Sequence, residues 1–158
     1  SPFDVISYDI FSTSNRESSW TLGDFNSDGV PELVSASPDK GDVFYIESGR
    51  NGFSGKVESS PSLKGISYLS SLRNKGKTKL LILSAEEEVL GISEYMKGKG
   101  FSFPLMVEMK GVPLAAVTAH SGKGKDDKLI VLCELESDFF LNTYEWSSDN
   151  KFELIHNH

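Results

Sequence analysis

A single cysteine in 158 residues rules out any disulfide within the chain. That residue, Cys133, stands in the apolar run Leu129-Ile130-Val131-Leu132-Cys133 and reads as a small buried hydrophobe. A nucleophilic thiol would want a nearby base and an exposed turn, and the run offers neither. No hydrophobic stretch approaches the roughly eighteen residues that a membrane-spanning helix needs. Positive charge is in deficit, with 16 Lys and Arg against 23 Asp and Glu, for a net charge of −7. That balance disfavours a nucleic-acid or anionic-membrane surface. Catalytic signatures are missing too: there is no Gly-x-Ser-x-Gly elbow, no phosphate-cradling glycine loop and no paired-cysteine motif. Gly98, Gly100, Gly122 and Gly124 alternate with lysines in turns, and His156-Asn157-His158 reads as a frayed end rather than a chelate. The chain opens on Ser1 with no signal-peptide pattern, which suggests a processed protein or an excised piece.

What is present is a repeat. Three short apolar runs begin at Glu32, Lys79 and Lys128, 47 and 49 residues apart. Gly52-Phe53, Gly100-Phe101 and Lys151-Phe152 keep the same beat, and a third landmark precedes each run at Trp20-Thr21-Leu22, Ile66-Ser67-Tyr68-Leu69 and Leu114-Ala115-Ala116-Val117. Each unit of about 48 residues then reads as four short strands, the last beginning at the Phe landmark. The second strands are continuously apolar, as strands buried on both faces are. Gly, Asn, Asp, Ser and Lys clusters separate the strands, and Ala85-Glu86-Glu87-Glu88 is one turn long, too short for an amphipathic helix. Four strands every 40–50 residues is the pattern of β-propeller blades; a single β-sandwich is the competing architecture. The expected fold is therefore all-β, with about three blades of an incomplete or oligomer-completed propeller. The expected division is 1–15 as the outer strand of a preceding blade, then blades at 16–62, 63–110 and 111–158. The leading strand, Phe3–Ser7, is surplus to three blades, which predicts self-association or membership of a larger ring.

One loop carries chemistry. In Asp24-Phe25-Asn26-Ser27-Asp28-Gly29-Val30-Pro31-Glu32, oxygen side chains fall at positions 1, 3 and 5, glycine at 6 and a carboxylate at 9. Alternate positions let Asp24, Asn26 and Asp28 converge, while Gly29 permits the backbone turn that aims the Val30 carbonyl inward. Glu32 completes an all-oxygen set with three negative charges, which favours Ca²⁺ over zinc or copper. The alternative is an Asp/Asn/Gly turn that needs no ion. Position 12, where an EF-hand places glutamate, is Ser35. The corresponding residues of the second unit are expected to be Ser71, Arg73, Lys75 and Lys79, with Gly76 at the turn. Those of the third are His120, Gly122, Gly124 and Lys128, so neither unit should bind metal. Lysines 75, 77, 79, 123 and 125 read as solvated loop residues or a basic rim.

The run Leu22-Gly23-Asp24-Phe25-Asn26-Ser27-Asp28-Gly29-Val30-Pro31-Glu32-Leu33-Val34 resembles the FG-GAP repeat of integrin α-subunit propellers and related bacterial repeat proteins. The resemblance implies a structural Ca²⁺ loop between the first and second strands of a blade; the family loop usually ends in Asp, where this chain has Glu32. It also implies a non-catalytic module that binds a protein or glycan, with no membrane insertion, at the cell surface or outside the cell. A propeller belonging to a carbohydrate-active enzyme and an intracellular scaffold are the other readings.

Overall fold

The computed structural model describes residues 19–37, 39–49, 51–147 and 151–158. The expected leading strand at Phe3–Ser7 and the first residues of the 16–62 unit lie outside them. Among the described residues every regular element is a strand, and the strands form three four-stranded antiparallel sheets and one two-stranded ladder.

The first sheet runs β1 (Trp20–Gly23), β2 (Glu32–Ser37), β3 (Asp42–Gly49), β4 (Gly52–Pro61), in sequence order. The second contains β5 (Ile66–Asn74), β6 (Lys77–Ser84) and β7 (Val89–Ser93), with β10 (Leu105–Met106) beside β7. The third is again sequential: β11 (Val112–Ala119), β12 (Lys128–Leu135), β13 (Asp138–Trp146), β14 (Phe152–Asn157). Between β7 and β10 lies the small ladder of β8 (Tyr95–Met96) and β9 (Gly100–Phe101).

Side chains alternate across a strand, so the second strand of the middle sheet serves two layers. Val34 and Ala36 of β2 pack with Leu80 and Ile82 of β6 in one core. Leu81 and Leu83, the intervening residues of β6, pack with Leu129, Val131 and Cys133 of β12 in the other. The second sheet is thus sandwiched between its neighbours, which explains why Leu80 to Leu83 reads as an unbroken apolar run. Cys133 is fully buried, and burial pushes its thiol upward in pKa, consistent with a packing role.

Two expectations are corrected here. Phe101 does not begin the fourth strand of the second sheet; that strand is the two-residue β10. Phe101 is instead buried in the first core, its ring centroid 5.3 Å from that of Phe25, and its amide donates to Ser60 Oγ at 2.9 Å. Pro104, which has no N–H to give a ladder, stands immediately before β10, the strand that pairs with β7. Aromatic burial therefore outweighs continuation of the sheet at this point.

The second correction concerns loop equivalence. Gly23 pairs with Glu32 and Ala119 with Lys128, but Lys79 pairs with Leu72. Measured from these pairs, the second unit's connection is two residues shorter. It closes as a hairpin on Lys75-Gly76, both at positive φ (48° and 74°), a geometry that matches the twist of the flanking strands. Ser71 and Arg73 therefore lie within the β5–β6 ladder, opposite Leu80 and Thr78, not in a loop.

Candidate metal centre

The β1–β2 register builds the site. Because Gly23 pairs with Glu32, Asp24 leaves β1 at the point where Glu32 enters β2, and the intervening loop must fold back over both. Gly23 has to be small: a Cβ there would lie 2.9 Å from the Phe25 ring. Phe25, 4% exposed, wedges beneath the loop against Phe101, and Tyr45 stacks on Tyr95 at 4.4 Å beside them. The loop thus rests on an aromatic floor shared by the first sheet and the β8–β9 ladder.

Above that floor the backbone is held by the acidic side chains themselves. Asp28 N and Gly29 N donate to the two oxygens of Asp24, each at 3.0 Å. Asp28 N also donates to Asn26 Oδ1 at 2.9 Å, and Val30 N to Asp28 Oδ1 at 2.8 Å. Asn26 Nδ2 donates to Asp28 Oδ2 at 3.1 Å and to the Tyr45 hydroxyl at 3.3 Å. Ser27 and Gly29 take positive φ, 63° and 88°, which brings successive side chains of the loop to one side.

The result is a cluster in which Asp24, Asp28 and Glu32 each place a carboxylate oxygen within 4.8 Å of the others. Asn26 sits between them through its bonds to Asp28. The fifth residue of the expected ligand set, Val30, is tied into the loop through its amide. Asp28 is exposed, Asp24 is half-buried, and Glu32 has no accessible surface. Glu32 Oε2 accepts from Phe25 N at 2.8 Å and from Asn26 N at 3.3 Å, but its Oε1 is buried with no hydrogen-bond partner. Burial is the main cause that lifts the Glu32 carboxyl from its ordinary 4.5 to about 7; the two backbone amides oppose it, and the charges of Asp28 and Asp24 add to it. A buried carboxylate oxygen without a partner is costly, and a cation held in common with Asp24 and Asp28 removes that cost. The donors are all hard oxygens, so the cluster can coordinate a divalent cation such as Ca²⁺.

The third unit uses acids differently, and here sequence reading passed over the residues that matter. His120, Gly122, Gly124 and Lys128 occupy the loop as expected, but the same loop carries Asp126 and Asp127. Asp127, largely buried, accepts from Arg73 N at 2.8 Å and meets His120 Nδ1 at 2.8 Å, while Asp127 N donates to Arg73 O at 2.9 Å. Asp126 Oδ1 accepts from Lys75 N at 2.5 Å. These carboxylates grip the hairpin tip of the second sheet. Asp127→Ala should leave Arg73 N unsatisfied at about 1–3 kcal/mol and speed amide exchange at Arg73 and Lys75. Unchanged protection of those amides would show that the clamp carries no stability.

Of the rim lysines, Lys77 and Lys79 pair with Glu94, and Lys79 also lies 4.6 Å over the Trp146 ring. His156 and His158 stack on each other at 5.7 Å, exposed on and just after β14, and belong to no metal-competent group among the described residues. Comparison with protein-family models, with curated proteins and with solved structures gave no match, so the reading of this centre rests on its own geometry.

Proposed function

We propose that the chain is a non-catalytic, calcium-stabilised module of propeller-type blades that presents loops to a protein or glycan partner. The observation that carries the calcium reading is the buried, unpartnered Glu32 Oε1 beside the Asp24 and Asp28 carboxylates. Asp24, Asn26, Asp28 and Glu32 would supply side-chain oxygens and Val30 its carbonyl. Bound there, the ion neutralises charge and ties the loop to the start of β2; it has no bond to make or break. The loop's place between the first and second strands of a four-stranded sheet supports the likeness to the FG-GAP repeat. A site partly open at Asp28 suits the calcium-rich setting of the cell surface or extracellular space, where weak structural sites fill.

The test is thermal. Calcium at 100 times its Kd stabilises the folded state by about 2.7 kcal/mol, which for a chain of this length raises Tm by roughly 5–10 °C. Asp24→Ala or Asp28→Ala should abolish that rise. Equal melting temperatures in EGTA and in millimolar calcium would reject the site.

A further inference from the structure

We infer that the outer face of the third sheet docks a second copy of this chain, head to tail, onto the outer face of that copy's first sheet. The argument comes from the stacking rule that the chain already follows twice. From each sheet to the next, one set of alternate second-strand residues faces forward and the other backward. Val34 and Ala36 face forward onto Leu80 and Ile82; Leu81 and Leu83 face forward onto Leu129 and Val131. Ile130 and Leu132 hold the same forward positions in β12, yet among the described residues no sheet covers them.

The cross-strand neighbours of this forward face are apolar and open. Val117, opposite Ile130, is 51% exposed, and Leu141, opposite Leu132, is 45% exposed. The other end of the stack offers the matching surface. Leu33 of β2 holds the backward position that Leu80 and Leu129 fill in the covered sheets. Around it and the buried Ile46, Trp20 is 62%, Leu22 46% and Val57 44% exposed. Terminal repeats of a stacked fold need polar outer faces to remain single, and among the described residues both of these faces leave large apolar side chains exposed.

A second copy is the occupant that the internal geometry specifies. Its backward face carries the residues at the positions that already seat on a forward face twice within the chain. Such a contact joins unlike faces, so it either closes into a ring or propagates. Two copies bring six four-stranded sheets, inside the roughly four-to-eight range of propeller rings. The inference stands apart from the calcium reading, since neither face includes the acidic cluster.

Sedimentation equilibrium of the 158-residue chain tests it, with Leu141→Glu on the forward face and Trp20→Glu on the backward face. Both side chains are exposed, so each variant should keep the far-ultraviolet circular dichroism spectrum of the wild type, while its melting temperature should fall by no more than the loss of association accounts for. The wild type should sediment at about twice the chain mass of 17.4 kDa, and each variant at the single mass. An equimolar mixture of the two variants should associate more than either alone, because one intact forward face then meets one intact backward face. A monomeric wild type would overturn the inference. So would a Trp20→Glu variant that associates like the wild type, since that means like faces pair.

Discussion

Glu32→Gln should have two effects of opposite sign, depending on calcium. In EGTA at pH 8 the wild-type protein must hold Glu32 ionised at a site with no accessible surface and no partner for Oε1. The lift of its carboxyl from 4.5 to about 7 corresponds to a cost on the order of 3 kcal/mol. Glutamine removes that cost and keeps an acceptor for the Phe25 amide, so the metal-free variant should melt higher than the metal-free wild type. In calcium the order should reverse, because the variant has lost the ligand. The pH dependence follows from the same shift. A carboxyl raised in the folded state contributes stability that is fully present below about 4.5 and is lost as pH rises through about 7. Metal-free wild type should therefore lose stability across that window. Calcium, which binds only the ionised form, should stabilise increasingly across it. Glu32→Gln should flatten both trends; a variant that still responds to calcium across this window would remove Glu32 from the site.

The largest loss of stability should come from the middle sheet. Leu80 and Leu81 are adjacent in β6, both fully buried, and face different cores. Leu80→Ala or Leu81→Ala should each cost about 2–5 kcal/mol and lower Tm by roughly 5–15 °C. Their effects on calcium should differ. Leu80 shares its core with Phe25 and Tyr45, the floor of the acidic loop, so its loss should weaken calcium binding. Leu81 packs on the third sheet, and its loss should leave calcium affinity as it was. Equal weakening of calcium binding by both substitutions would mean that the loop does not depend on its own floor.

The strands of the three sheets were legible because their pattern is local: an apolar run bounded by Gly, Asn, Asp and Ser states its own limits. Glu32 to Ala36, Lys79 to Leu83 and Lys128 to Leu132 all mark second strands. The candidate ligands were legible for the same reason, since Asp24, Asp28 and Glu32 fall in one nine-residue stretch. What failed was non-local. Phe101 left the fourth-strand position for an aromatic cluster built from Phe25, Tyr45 and Tyr95, and no spacing along the chain encodes that choice. The shortened hairpin at Lys75-Gly76 shifted an alignment that counted residues from the wrong strand end. Asp126 and Asp127 were passed over because their partners, Asn74, Lys75 and Arg73, come from another sheet. Likewise, nothing in the sequence distinguishes Glu32, the buried member of the acidic set, from Asp28, the exposed one.

Calorimetric titration of the metal-free chain with calcium at pH 8, where Glu32 is ionised, tests the central claim most directly. The account predicts one saturable site per chain, abolished by Glu32→Gln and by Asp24→Ala, with affinity falling as pH is lowered through 7. No saturable binding at millimolar calcium, or binding that survives both substitutions, would contradict it.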